Sequence, residues 1–274
     1  DGKENGFTMI VTFGEIMMRL APTGYLRMNQ TRQLEMTFGG GEANVAVSLS
    51  NYGKEARFVT GLPDNDIGAA CKGELRRWGV DISKIVTKPG RMGIYFCEKG
   101  ASQRPSKVTY DRADSVVSKL GAADFDWEDI LKGAEWFHFT GITPALSDSM
   151  AEATLAACKT AKKLGVQVSC DLNYRKKLWS REKAGKVMAE LMPYVDVLIA
   201  NEEDAADVFG IHAKATDITK GEINLEGYRS VAEQLVERFG VSKVAITLRE
   251  SISASCNNWS ALLYDGKELY VSKK

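Results

Sequence analysis

An α/β fold built on a mainly parallel sheet is predicted by three observations. Strand-like and helix-like apolar patterns alternate along most of the chain, several helix-like stretches stop at a glycine, and the strand-like runs are short enough to be buried on both faces. The 274 residues are 44% apolar, enough for one large domain with a small appendage. In order, the patterns predict a strand over Met9–Phe13, a helix over Glu42–Tyr52 ending near Gly53, and a strand over Ala56–Val59. A helix over Asp66–Trp78 stops at Gly79, a strand covers Trp136–Phe139, and a long helix over Asp148–Leu164 closes at Gly165. A strand over Val166–Cys170, a helix over Arg181–Met192 ended by Pro193, and a strand over Val195–Ala200 follow. A helix over Glu202–Phe209, a helix over Tyr228–Phe239 and a strand over Val244–Thr247 come next, and Ser260–Tyr264 and Lys267–Val271 pair across Asp265-Gly266.

Two stretches break this rhythm. Leu20–Thr37 holds no clear helix, and Gly93–Glu98 and Val108–Tyr110 read as short strands where a helix would continue a βα unit. Both are expected to form a small β lid, with segments at about 15–37 and 91–112 of a domain covering 9–274. The polar stretch Ala213–Leu225 is expected to be a mobile surface loop.

Composition excludes several classes. Thirty-six basic residues balance 36 acidic ones, which leaves no electrostatic footprint for nucleic acid or an anionic membrane. No apolar run approaches a membrane span, and the polar start Asp1–Thr8 is no signal peptide; it reads as a tag remnant or extension before a natural start at Met9. Five cysteines without close pairs argue against a disulfide framework or a zinc site, and Cys71, Cys158 and Cys170 sit in apolar patterns, so a reducing cytoplasm is the expected setting. His138, inside Trp136-Phe137-His138-Phe139, reads as a core histidine and His212 as exposed. Neither a Walker-type phosphate loop nor a complete G-x-G-x-x-G/A is present, because position 44 is Asn.

The densest signal is Phe38-Gly39-Gly40-Gly41-Glu42-Ala43-Asn44, three glycines before a helix with a polar Asn in its first turn. Glycines let backbone amides approach a ligand closely, and a helix start favours polar or anionic groups. A tight turn whose glycines only permit close packing fits the same residues. Ligands of open parallel sheets sit beyond the carboxyl ends of the strands. The predicted strands bring Gly14, Glu15, Asp171, Asn173, Arg175, Asn201 and Arg249 to that edge.

Taken in order, Thr12-Phe13-Gly14-Glu15, the glycine turn, Thr60 to Gly68 and Asn201-Glu202-Glu203-Asp204 resemble the ribokinase-like (PfkB) family of carbohydrate kinases, and within it the 2-keto-3-deoxygluconate kinases. The resemblance runs from Met9 onward. It implies a ribokinase-like three-layer sandwich with a small β-sheet lid. The activity it implies is ATP-dependent phosphorylation of 2-keto-3-deoxygluconate at its terminal hydroxyl, giving 2-keto-3-deoxy-6-phosphogluconate, with ATP and Mg2+ as cofactors. Gly39, Gly40 and Asn44 would hold substrate hydroxyls, and Tyr95, Tyr110 and Arg112 would touch the keto acid from the lid. Asn173 and Arg175 belong to Asp171-Leu172-Asn173-Tyr174-Arg175, whose Arg would fork onto the substrate carboxylate; a surface salt bridge is the plainer role for such an Arg. The two tyrosines fit ordinary sheet packing as well.

Asn201 and Asp204 would organise magnesium partly through water, and no direct metal ligand is expected. Asp204 stands where relatives carry Glu, and a helix cap explains the same residues. Thr247 and Arg249 match a segment that approaches the nucleotide phosphates. The glycine-rich motif whose last Asp serves such kinases as base is not found, so the catalytic residue and the C-terminal part of the fold are expected beyond Lys274. Expected partners are a small sugar acid, ATP and a second copy of the chain through the lid. A fructokinase or ribokinase acting on a neutral sugar, and a sugar-acid binding protein without catalysis, are the rival readings.

Overall fold

The computed structural model describes residues 9–213, 225–252 and 256–273. The first strand, β1 (Met9–Phe13), is followed by β2 (Met17–Pro22), β3 (Leu34–Gly39), helix α1 (Gly41–Asn51), β4 (Glu55–Val59) and β5 (Gly61–Pro63). Helix α2 (Asp66–Arg77), β6 (Val86–Lys88), β7 (Ile94–Glu98), β8 (Lys107–Asp111), α3 (Trp127–Leu131) and β9 (Ala134–Thr140) come next. Then follow α4 (Ile142–Ala145), α5 (Asp148–Lys163), β10 (Gln167–Asp171), α6 (Arg181–Leu191), β11 (Val197–Ala200) and α7 (Glu202–Phe209). Helix α8 (Leu225–Phe239), β12 (Lys243–Ser251), β13 (Asn257–Tyr264) and β14 (Leu269–Val271) complete the order.

Eight strands form the central sheet in the order β14-β13-β12-β11-β10-β9-β1-β4. From β4 to β12 every neighbour is parallel, and β13 and β14 add an antiparallel edge. Strand alternation sends Val11, Phe13, Phe137, Phe139, Val168 and Cys170 into one large core with α5, α6 and α8, while Ala56 and Phe58 join a smaller core with α1 and α2. Helices therefore lie on both faces, the three-layer arrangement that parallel strands require to bury both of their sides.

The helix ends carry the expected local chemistry. The Asn65 and Ser147 side chains accept from the Gly68 and Met150 amides at 3.0 and 3.2 Å, capping α2 and α5. Gly165 closes α5 at φ +72°, a conformation that costs glycine nothing. His138 and the three named cysteines are buried as expected, and His212 is exposed.

A second sheet of four strands, in the order β3-β2-β7-β8, is built from the two stretches that interrupted the βα rhythm. Its β2–β3 and β7–β8 pairs are antiparallel and β2–β7 is parallel. Two features differ from expectation. The β12–β13 ribbon is longer at its open end, reaching the Ser251–Asn257 pair, because it continues through polar residues that carry no apolar alternation. The pair β5–β6 was not legible, since Gly61-Leu62-Pro63 is too short to show a period. The loop expected to be mobile falls, over 214–224, outside the described residues, as do Asp1–Thr8.

One buried carboxylate ties the glycine turn to the sheet. Glu42, in the first turn of α1, is buried, and its Oε1 accepts from the Thr140 amide at 3.0 Å and the Thr140 hydroxyl at 2.7 Å. Thr143 Oγ1 lies 2.8 Å from the same oxygen and 3.1 Å from the Phe13 carbonyl. Thr12 donates to the Glu42 carbonyl at 3.0 Å. A Cβ on Gly14 would stand 2.2 Å from the Glu42 carboxyl, so β1 can pass beneath it only as glycine. Gly14→Ala is expected to cost about 2–4 kcal/mol of stability, by overpacking against a side chain that cannot retreat. Urea denaturation checks this, and an unchanged midpoint would show that Glu42 is not fixed.

Candidate functional site

Beyond the carboxyl ends of the central strands, and partly roofed by the small sheet, lies an open cavity of about 1070 Å³. Tyr110, Arg112, Asn173, Arg175, Asn201 and Asp204 all line it, so six of the residues singled out from the sequence converge there. Three others adjoin it through one contact. Tyr95 and Tyr110 face each other across the β7–β8 pair with ring centroids 6.1 Å apart. A Cβ on Gly39 would lie 3.1 Å from the Tyr95 hydroxyl oxygen and 3.8 Å from Asn44 Oδ1, which places these three groups together. Asn44 itself is exposed and borders a smaller hollow beside Phe38 and Trp78.

Gly40 shows that the tight-turn reading of the glycine turn holds at this position too. A Cβ there would stand 2.0 Å from the Glu15 carbonyl oxygen, so the crossing of two chain segments already demands glycine at this position. Thr247 is exposed on β12, paired with Ala261, and does not line the cavity. Of Arg249 the backbone alone, paired with Trp259, is described; its side chain lies outside the described part.

Arg112 is held by the protein itself. Its Nε donates to Glu15 Oε2 at 2.8 Å and its Nη2 donates to the same oxygen, while Ser115 donates to Oε1 at 3.0 Å. Burial pushes the Glu15 carboxyl upward, and Arg112 and Ser115 oppose that. Gly93 is needed here too, since a Cβ would meet Glu15 Oε1 at 2.8 Å. Arg112, expected to touch a substrate acid, is thus partly occupied by Glu15 and still lines the cavity.

The loop Asp171–Arg175 is shaped by Asn173, whose φ of +36° is tolerated by Asn better than by most residues. Asp171 accepts from the Asn173 amide at 3.2 Å. Asp204 bridges two strand ends: Oδ1 accepts from the Tyr174 amide at 3.0 Å and Oδ2 from the Asn201 amide at 3.4 Å, while Asn201 accepts from the Asp204 amide at 2.7 Å. Asn201 and Asp204 therefore form a reciprocal cap on α7, the structural role that the sequence also allowed. Burial, and then the neighbouring Asp204, push Asp171 up to about 6, and Asp204 is raised chiefly by burial. The charge of Arg175 opposes both shifts.

No group of three or more metal-ligating side chains is present among the described residues. Asp171 and Asp204 are hard-oxygen side chains of the kind that can hold a divalent cation through water. Ser115 and Lys177 also shape the site and were not expected to; Glu15 was expected at this edge, but not as the partner of Arg112. Glu15 carried a signal in its place after β1, and the Arg175-Lys176-Lys177 run was the one available for Lys177.

The family model described as pfkB family carbohydrate kinase matches residues 8–248. The chain belongs to the pfkB family of carbohydrate kinases. Among its pfkB relatives is the 2-dehydro-3-deoxygalactonokinase of Haloferax volcanii, 40% identical over 75% of this chain and 64% of that protein. Another is the 2-dehydro-3-deoxygluconokinase of Thermoproteus tenax, 30% identical over 77% of this chain and 65% of that protein. The chain thus spans about two thirds of the length of these curated relatives. The crystal structure of the 2-dehydro-3-deoxygluconokinase of Thermotoga maritima superposes with a TM-score of 0.91 at 50% identity, covering 97% of this chain and 79% of that one. The ribokinase-like fold expected from the motifs is therefore the fold found.

The raised Asp171 yields a pH test. A carboxyl that moves from 3.8 to about 6 on folding adds stability that is fully present below about pH 4 and is lost as pH rises through 6. Asp171→Asn removes the ionisation. Its stability relative to wild type is expected to rise by up to about 3 kcal/mol between pH 4 and pH 7. Paired denaturation curves check this, and a difference that is flat in pH would refute the burial of charge at this position.

Proposed function

We propose that the protein containing this chain transfers the γ-phosphoryl group of ATP to a 2-keto-3-deoxy aldonic acid. The substrate assigned is 2-keto-3-deoxygluconate (2-dehydro-3-deoxygluconate), taken at its terminal hydroxyl. The observation that carries this reading is the joint presence of Arg112, Arg175 and the lysines beside Arg175 in one cavity with Tyr110 and Asn173. A neutral sugar gives such cations nothing to neutralise, whereas a carboxylate does. The relatives whose names specify keto-deoxy sugar acids support the same class; one is named for the galactonate and two for the gluconate.

In this reading Arg175 and the N–H edge of Arg112 orient the acid end, Tyr110 and Tyr95 close over the chain of the sugar, and Asn173, Gly39 and Asn44 hold hydroxyls. Orientation of this kind converts an encounter into a near-attack geometry, and much of phosphoryl transfer depends on it. Magnesium, held through water by Asp204 with Asp171 beside it, would neutralise charge on the phosphates of ATP. Thr247 and Arg249 are assigned to the nucleotide side. No base is assigned among these residues; Asp171 and Asp204 accept from the amides of Asn173, Tyr174 and Asn201.

The small sheet supports the roles of lid and of contact with a second copy. Thr37, Arg19, Tyr95 and Tyr110 share one row across it, with Tyr110 on the cavity. Alternate positions send Leu20, Met36 and Leu34 to its other side, where Met36 is 47% and Leu34 38% exposed. Apolar side chains of that size on an outer sheet face suit burial against a partner, and a second copy is the partner assigned.

A coupled ATP-consumption assay on the full-length protein, with 2-keto-3-deoxygluconate, 2-keto-3-deoxygalactonate, fructose and ribose, tests the assignment. Preference for a keto acid is expected. Arg175→Ala should raise the KM for that acid about tenfold or more. Turnover confined to a neutral sugar would overturn the substrate class, and binding without turnover would leave a sugar-acid binding protein.

A further inference from the structure

We infer that Glu42 is a positioning residue for the sugar half of the site: its buried carboxyl sets the distance between the glycine turn and the Asp171–Arg175 loop. The inference rests on the phosphoryl transfer proposed above, in which Gly39 and Asn44 hold the substrate from the turn and Asn173 and Arg175 hold it from the loop. The two groups come from separate parts of the chain. The turn joins β3 to α1, the loop follows β10, and β9 lies next to β10 in the central sheet. A contact that spans them has to be made by side chains.

The contacts run in series. Glu42 Oε1 accepts from the amide of Thr140, the last residue of β9, at 3.0 Å and from its hydroxyl at 2.7 Å. That hydroxyl accepts from the Ile142 amide at 3.1 Å, so its single proton is left for Glu42. Thr140 pairs with Asp171 on β10, and the next amide, Gly141, donates to the Asp171 carbonyl at 2.8 Å. A Cβ on Gly141 would stand 2.2 Å from the Leu172 carbonyl oxygen, so the chain leaving β9 lies against the first residues of the loop. Glu42 therefore holds, from the first turn of α1, the strand end on which the loop rests.

Reach, and not charge, is what this carboxyl supplies. It is buried and does not line the cavity, so it meets no ligand there. An apolar side chain would be buried at lower cost but would leave the Thr140 amide without this acceptor. Gly14 on one side and the Thr143 hydroxyl, 2.8 Å from Oε1, on the other leave the carboxyl no second position. The magnesium side is braced separately, by the reciprocal cap of Asn201 and Asp204. A change in the reach of residue 42 thus moves the two sugar-holding groups against each other and leaves that cap in place.

The test measures steady-state kcat and KM for 2-keto-3-deoxygluconate and for ATP in the full-length protein, per folded molecule, in wild type and four variants. Glu42→Asp keeps the charge and shortens the reach by one methylene. Its kcat/KM for the sugar acid should fall about tenfold or more, with the KM for ATP within about twofold of wild type. Glu42→Gln keeps the reach and an acceptor oxygen and should recover most of that loss. Thr140→Val replaces the hydroxyl by a methyl group and should lower the same constant about threefold or more, and Thr140→Ser should restore it. The Thr140 pair decides the matter if the Glu42 variants do not fold. An unchanged kcat/KM for the sugar in Glu42→Asp, or equal losses for sugar and ATP, would overturn the inference and leave Glu42 a brace of the fold alone. Loss in Glu42→Gln with retention in Glu42→Asp would also overturn it, since charge would then be what acts. If wild type turns over only a neutral sugar, the substrate class falls and the same comparison on that sugar decides the role of Glu42. No turnover of any sugar by wild type would overturn both.

Discussion

Burying the Glu42 carboxyl imposes the geometry on which the site depends. A carboxyl removed from water costs several kcal/mol unless its oxygens are occupied, and here one oxygen gathers the Thr140 amide, the Thr140 hydroxyl and the Thr143 hydroxyl. Those donors come from the end of β9 and the start of α4, while Glu42 comes from the first turn of α1. The contact therefore fixes where the glycine turn sits above the strand ends. Gly14 is glycine because β1 passes under that carboxyl, and Gly40 is glycine because the turn crosses the Glu15 carbonyl. The glycines at 14 and 40 serve the crossing, and the close approach of Gly39 to Tyr95 and Asn44 follows from it.

A second buried glutamate repeats the device between the two sheets. Glu15 lies between β1 and β2, Arg112 and Ser115 follow β8, and their ion pair and hydrogen bond fasten the small sheet to the body of the fold. A buried pair of this kind contributes little net stability but costs heavily when one partner is lost, so it acts as a positional constraint. It also redistributes charge. By pairing with Arg112, Glu15 changes what that guanidinium has left to offer a ligand. Counting basic residues at the rim therefore misjudges the field inside it.

Elements with a long apolar period were legible in the chain. Helices α1, α2, α5, α6 and α7 and the parallel strands β1, β4, β9, β10 and β11 lie within a few residues of their expected bounds, because period and caps are local properties. The short pair β5–β6, the small helices α3 and α4 and the polar end of the β12–β13 ribbon were not, since three to five residues show no period and polar strands show no alternation. The convergence of Asn173, Arg175, Asn201 and Asp204 was legible because each follows a central strand and strand ends share one edge, whereas Tyr110, in β8, and Arg112, just after it, were expected there from the family resemblance.

By itself the sequence determined the order of strands and helices, the parallel class of the sheet, the location of the ligand edge and the family, since these rest on short-range pattern and on motifs in order. Only the tertiary structure decided the electrostatic partners. Glu15 meets Arg112 across 97 residues and Glu42 meets Thr140 across 98, and no local pattern encodes such pairings. Which charges are spent within the protein and which face the cavity depends on those long-range contacts, because a charge acts through what surrounds it in space.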